Sequence, residues 1–165
     1  MTMTRLFTLF LFLISASFSS YAQTAAKTDL PPALGYVSDY ENIFTGQEET
    51  RLDSLIRAIE KRTTVEIAVV TIDSTMTSPS AFHEYTLQLA RAWGVGKKDK
   101  DNGILIGISQ SLRMVRIENG FGVEKKISDA QTLSIIEKKM LPHFRNGDVF
   151  QGTFECILAL IKKLE

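Results

Sequence analysis

The sequence predicts an α/β domain with a mixed, mostly parallel β-sheet, and three patterns lead to that prediction. Val65–Ile72 and Gly103–Ser109 are nearly continuous apolar runs rich in β-branched residues, which is typical of strands buried on both faces. A helical segment between them completes a βαβ unit, so the two strands should be parallel with a right-handed crossover. Leu112–Glu118 follows a short turn and alternates apolar with polar residues, which indicates an antiparallel, half-exposed neighbour.

Length, charge and cysteine content restrict the classes of protein that remain. The chain has 165 residues, with 19 Lys+Arg against 19 Asp+Glu. This balance argues against a nucleic-acid-binding protein, which would carry a basic excess. Cys156 is the only cysteine in the sequence, so an intramolecular disulfide and a CxxC pair are excluded. About 140 residues remain beyond the N-terminal segment, which is enough for one domain with its own core.

Residues 1–22 have the features of a signal peptide. Arg5 supplies a positive charge, Leu6–Ile14 is apolar except for one threonine, and Ser20 and Ala22 place small side chains at a cleavage site. The apolar run is shorter than the roughly 20 residues that a membrane-spanning helix needs. We therefore expect cleavage near Ala22 and a monomeric, extracytoplasmic protein, periplasmic or secreted, without a membrane span in the mature chain.

The chain between the signal peptide and the first helix divides into two parts. Residues 23–34 are polar and contain Pro31-Pro32, so they are predicted to form a flexible leader. The folded domain is then expected to cover residues 35–165. Its first segment, Gly35–Phe44, alternates loosely between apolar and polar residues and is predicted to lie extended against the core.

The first two helices carry start and stop signals. Thr45 and Glu48 have the spacing of a capping box, and apolar residues recur at helical spacing from Leu52 onwards. Ser78-Pro79 offers an N-cap followed by a proline in the first turn of the second helix. Gly94 is expected to end that helix.

Two further helices are predicted after the last strand. Ser128 or Asp129 caps the first of them, which is expected to end at Pro142 because proline interrupts helical hydrogen bonding. The second is expected to begin near Asp148 and to bury an apolar stripe that contains Cys156. A cysteine in such a setting is usually a packing residue.

Common enzyme signatures are absent from the sequence. It has no GxSxG, no GxxxxGK[ST], no HExxH and no GxGxxG that opens a helix after a strand. The two histidines, His83 and His143, are expected in a helix and in a surface connection. A serine or cysteine hydrolase triad therefore has little support.

Acidic, amide and glycine residues collect beside the predicted hairpin. Asp101 and Asn102 precede one strand, and Glu124 follows the next. Because the start of one antiparallel strand lies beside the end of its neighbour, these three residues should share one rim of the sheet. Carboxylate and amide oxygens are the ligands that Ca²⁺ prefers. The alternative is that both segments are turns with solvated charges, and the residues alone leave the two interpretations open.

Two observations weaken the cation interpretation. The segment that begins at Asp99 resembles the start of an EF-hand loop, but Ile104 and Gln110 occupy the positions of the required glycine and glutamate. Five lysines also lie close to the acids in sequence: Lys97, Lys98, Lys100, Lys125 and Lys126. They would repel a cation unless their side chains point away, and they would favour an anion such as phosphate.

An ordered set of short motifs from Gly35 to the C-terminus resembles the TPM-domain family. The segments that carry the resemblance are Gly35–Asp39, Trp93–Gly96, Asp101–Leu105, Arg113–Ile117, Gly120–Glu124 and Pro142–Asp148. The resemblance implies a three-layer α/β/α sandwich around a central mixed sheet, in an exported or lumenal protein. It also implies divalent-cation binding and, as in the thylakoid-lumen branch, acid-phosphatase activity. The acidic cleft of the family would correspond to Asp39, Asp101 and Glu124, with Asn102 and Asp148.

Three functions follow as hypotheses. The first is a non-catalytic module that binds Ca²⁺, or Mg²⁺ in its place, through the acidic residues and thereby contacts an envelope protein. The second is a metal-assisted phosphatase in which Asp39 or Asp101 acts as nucleophile or base and a lysine or Arg116 neutralises charge. The third is an adaptor whose acids only interact with solvent.

Overall fold

A four-stranded mixed sheet forms the centre of the computed structural model, which describes residues 30–165. The predicted signal peptide and residues 23–29 of the predicted leader lie outside the described residues. The strands follow chain order across the sheet: β1 (Val37–Asp39), β2 (Glu66–Thr71), β3 (Gly103–Ser109) and β4 (Met114–Asn119). The first three are parallel and β4 is antiparallel to β3, which confirms the predicted mixed sheet.

Helices cover both faces of this sheet. Their bounds are α1 (Gly46–Thr63), α2 (Phe82–Trp93), α3 (Phe121–Glu124), α4 (Asp129–Ile135), α5 (Leu141–Arg145) and α6 (Val149–Leu164), with a π-helical segment at Ile136–Met140. On one face, α2 packs on Val70, Ile72 and Leu105. On the other face, α1 and α6 pack on residues such as Ile67 and Ile104. This three-layer arrangement confirms the fold that the family resemblance implied.

Local signals fixed the start of α1 and α6. The Thr45 side chain accepts a hydrogen bond from the Glu48 backbone, and the Glu48 carboxylate accepts one from the Thr45 backbone, which completes the predicted capping box. Asp148 caps α6 by accepting a hydrogen bond from the backbone N–H of Gln151 at 2.9 Å. β3 matches its predicted range at both ends.

The predicted start of α2 was wrong by three residues. The Ser78 hydroxyl bonds to the Ser80 hydroxyl at 3.1 Å instead of capping a helix, and the Ser78 carbonyl accepts from the Ala81 backbone in a separate turn. The helix begins at Phe82, the first residue of its apolar stripe. Burial of that stripe, rather than the local cap signal, therefore decides where α2 starts.

The sequence predicted that Pro142 ends the helical region, and this prediction was wrong. The chain continues from α4 through the π-helical turn into α5, and Pro142 falls in the first turn of α5. A proline is tolerated in a first turn because its missing N–H has no intrahelical partner there. The wider π turn supplies this local restart.

The described end of the predicted leader lies against the domain. The Trp93 indole donates a hydrogen bond to the Pro31 carbonyl oxygen at 2.8 Å, and the Tyr40 hydroxyl donates one to the Pro32 carbonyl. Leu30 packs on the core beside α2. Residues 30–34 are thus held by specific contacts, and the sequence had no signal for them because both acceptors are backbone atoms.

Backbone segments approach closely at the edge of the sheet where the parallel strands begin, which we call the N-terminal edge. The Gly122 N–H donates to the Asp101 carbonyl at 2.9 Å and the Gly120 N–H donates to the Gly103 carbonyl at 2.8 Å. A Cβ atom at Gly122 would collide with the carbonyl oxygen of Lys100. Glycine is required here by space, since any side chain would separate the two segments.

An ionic and hydrogen-bonded cluster ties α1 to the same edge. The Lys97 ammonium lies 2.6 Å from the Glu60 carboxylate and 3.2 Å from that of Glu66. The Tyr36 hydroxyl donates to Glu60 at 2.6 Å. The hydrogen bond from Lys97, followed by that from Tyr36, lowers the pKa of Glu60, and the same pairing raises the pKa of Lys97.

The close approach predicts that Gly122→Ala destabilises the protein. Overpacking against backbone atoms that cannot move away should lower the free energy of unfolding by about 1–3 kcal/mol. Gly46→Ala is the matched control, because a Cβ there meets no atom within 4 Å, and its change should stay within about 0.5 kcal/mol. Denaturant unfolding of both variants is the measurement. Equal stabilities would contradict the steric argument.

The depressed pKa of Glu60 predicts a pH-dependent contribution to stability. A lowered carboxyl pKa stabilises the fold above the ordinary glutamate pKa of about 4.3, and this contribution is lost as the pH falls through the folded-state value. Because Lys97 is 43% exposed, we expect Glu60→Gln to lower the free energy of unfolding by only about 1 kcal/mol at pH 7.

The loss of unfolding free energy caused by Glu60→Gln should be smaller at pH 3 than at pH 7, because the Glu60 carboxylate of the wild type becomes protonated as the pH falls. Glu137→Gln removes an exposed carboxylate that forms no ion pair within residues 30–165, so it should change stability little at either pH. If Glu60→Gln lowers the free energy of unfolding by the same amount at both pH values, the ion pair does not cause the loss.

Candidate functional site

A cleft of about 670 Å³ opens at the N-terminal edge of the sheet. Its walls are α2, the loop from Gly94 to Gly103, the end of β4, and α3 with the start of α4. The backbone contacts between the Asp101 and Gly120–Gly122 segments hold two of these walls together. The cleft contains both acidic and basic side chains, and they are distributed over different walls.

Three carboxylates line one side of the cleft: Asp101, Glu124 and Asp129. Asp101 lies in the loop, two residues before β3, with a left-handed backbone and φ of 48°, and Glu124 lies on α3. Within the described part of the chain, neither Asp101 nor Glu124 accepts a side-chain hydrogen bond or lies within 4.0 Å of a cationic nitrogen. These two carboxylates are therefore available to a ligand.

Most of the lysines close to them in sequence are engaged elsewhere. Lys97 pairs with Glu60 and Glu66. The Lys100 ammonium donates to the Thr64 hydroxyl at 3.1 Å, and that of Lys126 donates to the Leu164 carbonyl at 2.7 Å. The carboxylates of Glu60 and Glu66 offset the charge of Lys97, whereas Lys100 and Lys126 bond to neutral oxygens and keep their full charge. Lys97 and Lys98 line the cleft, and Lys125 is exposed.

Arg116 and Glu118 form a polar cluster with α2 on the opposite side of the cleft. The Thr86 hydroxyl and the Arg116 guanidinium donate to the same Glu118 oxygen, at 2.7 and 3.1 Å. Arg116 also donates to the His83 ring nitrogen at 2.8 Å, since a guanidinium can act only as a donor. The Glu118 side chain is 10% exposed, whereas that of His83 is 60% exposed. The Arg116 guanidinium and the His83 imidazole therefore line the cleft, and the mostly buried Glu118 carboxylate holds the guanidinium in place.

This cluster was missed at the sequence level. Arg116 and Glu118 are two residues apart on β4, so they point to the same face of the sheet. That spacing was the available signal. His83 and Thr86, however, come from α2, and only the packing of α2 over β4 brings them into contact.

Two asparagines at the same edge have different roles. Asn102 is buried, its amide oxygen accepts from the Lys97 backbone at 2.9 Å, and its amide nitrogen donates to the Thr64 carbonyl at 2.7 Å. It therefore fastens the loop to the end of α1. Asn119 lines the cleft and donates to Thr132 at 2.9 Å, while its amide oxygen is buried without a partner among the described residues. Sequence reasoning named Asn102 and missed Asn119.

Asp39 and Asp148 lie at the opposite edge of the sheet, which we call the C-terminal edge. Asp39 accepts from the Thr71 hydroxyl at 2.6 Å and from the Phe44 backbone at 2.8 Å. On β2, Thr71 pairs with Asp39 at the end of β1, and Glu66 pairs with Gly103 at the start of β3. Thr71 lies five residues beyond Glu66 on that strand. The separation along the strands is on the order of 17 Å at the usual rise per residue.

The expectation that all five predicted ligands form one cleft is therefore corrected. Asp101, Asn102 and Glu124 share the N-terminal edge, as the hairpin argument predicted, and Asp39 and Asp148 do not join them. The reason is the parallel topology, which places the end of β1 far from the start of β3. Within residues 30–165, no group of three or more His, Cys, Asp or Glu side chains is arranged to hold a metal ion.

Cys156 and His143 lie outside this cleft. Cys156 is buried in the core, and burial raises the pKa of its thiol to about 12, which fits the predicted packing role. His143 lies 3.3 Å from Glu155 on α6. No helix between residues 30 and 165 combines the length and apolar character needed to cross a membrane.

The sequence and the fold were compared with known proteins. The family profile of the TPM domain matches residues 37–163, and a comparison with curated proteins gives no match. The N-terminal domain of a protein from P. gingivalis, solved in solution by NMR, is 36% identical with a TM-score of 0.70. The match covers 78% of this chain and 81% of that one.

Two more distant NMR structures share the fold. The BA42 protein of the psychrophilic bacterium Bizionia argentinensis is 22% identical with a TM-score of 0.65, over 76% of this chain and 83% of that one. The N-terminal domain of the cg2496 protein of Corynebacterium glutamicum is 16% identical with a TM-score of 0.60, over 83% and 85%. The profile match over most of the described residues and the identity to the P. gingivalis domain show that this chain belongs to the TPM domain family.

Proposed function

We propose that this TPM domain binds a divalent cation, Ca²⁺ in the first place, through Asp101 and Glu124, and that it is a non-catalytic module of the cell envelope. The observation that carries the proposal is that two carboxylates without hydrogen-bond or ion-pair partners in residues 30–165 line the same side of the cleft, Asp101 on the loop and Glu124 on α3. The ion pairs of Lys97 with Glu60 and Glu66 reduce the repulsion that this lysine would exert on a cation, and Lys98 is the lysine of the cleft lining that keeps its full charge.

The composition of the site implies weak binding. Two carboxylates and water would supply most of the oxygen ligands, and a site with few charged ligands binds calcium weakly. The amide oxygen of Asn119 is buried beside the same cleft without a partner among residues 30–165, and rotation of its side chain would make it a further oxygen ligand for the cation. A dissociation constant of about 10⁻⁴–10⁻³ M, as in extracellular calcium modules, is expected.

A protein partner at the same place is the second part of the proposal. Phe121 lines the cleft beside Glu124 and is 72% exposed. Aromatic side chains are enriched at protein interfaces, where burial of their rings contributes much of the binding energy. A cation held by Asp101 and Glu124 would offset the negative charge that a partner meets there. The predicted signal peptide favours an envelope protein as that partner.

The cation site predicts that Asp101→Asn and Glu124→Gln weaken calcium binding at least about tenfold, because each removes one of two anionic ligands. Asparagine tolerates the left-handed backbone of Asp101, so the loop should keep its conformation. Calcium titration followed by amide NMR spectra of the purified protein is the measurement, and Mg²⁺ in a parallel titration tests ion preference.

Asp99→Asn is the matched control for this experiment. Asp99 lies on the same loop and is exposed, but it does not line the cleft, so the same change in charge should leave the affinity unchanged. Three equal affinities for Asp101→Asn, Glu124→Gln and wild type would refute the site. Equal weakening in the Asp99 variant would instead indicate a diffuse effect of net charge.

Phosphomonoester hydrolysis is the second candidate function, and a specific observation favours it. Arg116 and His83 line the same cleft as Asp101, so a phosphate could contact a guanidinium while a cation neutralises its other oxygens. Asp39 is not favoured as the nucleophile, because both of its carboxylate oxygens accept internal hydrogen bonds at the other edge.

If the cleft hydrolyses phosphomonoesters, Arg116→Gln and Asp101→Asn should each reduce hydrolysis of p-nitrophenyl phosphate at least about tenfold, through loss of charge stabilisation. Arg62→Gln removes an exposed arginine outside the cleft and should leave the rate unchanged. A rate that is the same in all four proteins would assign the activity to a contaminant or to another site.

A further inference from the structure

We propose that a second groove, at the C-terminal edge of the sheet, binds an aliphatic carboxylate whose anionic group contacts Arg113 and Arg145. The groove has a volume of about 590 Å³ and lies between the β3–β4 turn and the α5–α6 connection. It shares no lining residue with the cleft at the N-terminal edge. The inference is therefore independent of the proposed cation site.

Apolar side chains make up most of the groove surface. They come from both strands of the hairpin and from α5 and α6: Ile108, Met114, Val115, Leu141, Phe144 and Val149. The volume lies within the range of about 300–1,000 Å³ that is usual for small-molecule sites. Ligands of open α/β sheets commonly bind beyond the carboxyl ends of the parallel strands, which is where this groove lies.

The charge on the groove has one sign. Among residues 30–165, Arg113 and Arg145 are the ionisable residues that line the groove, and both are exposed. Neither forms an ion pair with an acidic group of residues 30–165. A guanidinium matches the two oxygens of a carboxylate in a bidentate contact. Two unpaired arginines at the rim of an apolar surface thus fit a ligand with one anionic group on an apolar chain.

The wall that carries Arg113 is fixed by hydrogen bonds between the hairpin turn and Glu41. The Glu41 carboxylate accepts from the Gln110 N–H at 2.7 Å, and from the Ser111 N–H at 2.9 Å and hydroxyl at 2.6 Å. Arg113 closes the turn in the left-handed conformation, with φ of 55°. Its position therefore follows from the geometry of the turn.

The wall that carries Arg145 is fixed by α6. The Phe144 ring packs over Gly152, where an added Cβ would lie 2.7 Å from a ring carbon. The Gly147 N–H donates to the Phe144 carbonyl at 3.0 Å and closes the end of α5. Because both walls are held before a ligand arrives, binding needs little ordering of the protein.

Titration of the purified protein with decanoate, below its micellar concentration, tests the proposal. Amide NMR signals of the groove, such as those of Val115 and Gly147, should shift, and signals of the first cleft should not. Arg113→Gln combined with Arg145→Gln should raise the dissociation constant at least tenfold. Both side chains are exposed, so the double variant should retain its fold, and its unliganded spectrum checks this.

The controls separate the apolar chain from the anionic group. Decanol lacks the carboxylate and acetate lacks the chain, so each should bind at least tenfold more weakly than decanoate. Arg62→Gln, which lies outside the groove, should bind decanoate as wild type does. Equal binding of decanol, unchanged affinity in the double variant, or shifts confined to the first cleft would each overturn the proposal. Preference for a peptide with an apolar carboxyl terminus over decanoate would also overturn it.

Discussion

The backbone contact between the Asp101 loop and the Gly120–Gly122 segment is the constraint on which the site depends. Two hydrogen bonds, from Gly122 to Asp101 and from Gly120 to Gly103, extend the β3–β4 pairing past the end of the strands. They leave no space for a Cβ atom at either glycine. Without this contact, the walls that carry Asp101 and Glu124 would have no fixed relation to each other.

The packing of the loop before β3 also decides which charged and polar side chains of the N-terminal edge have protein partners. The loop that carries Asp101 also carries Lys97 into the cleft lining, and the carboxylates of Glu60 and Glu66 offset the charge of its ammonium. Asn102 is occupied with backbone groups, so it contributes rigidity rather than a free oxygen. Residues that look alike in sequence thus separate into those that build the edge and those that face the cleft.

Sequence patterns predicted the parts of the fold that depend on local chemistry. The range of β3 and the capping box of Thr45 were correct because burial on both faces and cap hydrogen bonding leave direct traces in sequence. The start of α2 and the passage of the chain through Pro142 were wrong because tertiary burial and a π turn outweighed the local signals.

The site was predictable to the extent that one hairpin defines it. Antiparallel pairing has a fixed geometry, so Asp101 and Glu124 could be placed on one rim from sequence. Asp39 could not be placed, because the extended segment that contains it had no assigned partner or direction. The contact of His83 with Arg116 depends on how α2 crosses β4, and no spacing within either element encodes it.

The π-helical turn at Ile136–Met140 has a consequence for changes in chain length. A π turn contains one residue more than the α-helical turn it replaces, so deletion of a single residue there could be absorbed as ordinary helix. The residues beyond it would then keep about the same orientation around the helix axis, whereas deletion of a residue from an ordinary α-helical turn would rotate them by about 100°. Phe144 would stay against Gly152, and Arg145 would stay at the groove. This segment is therefore the point at which the helical region can lose one residue with the least disturbance of the edge that follows it.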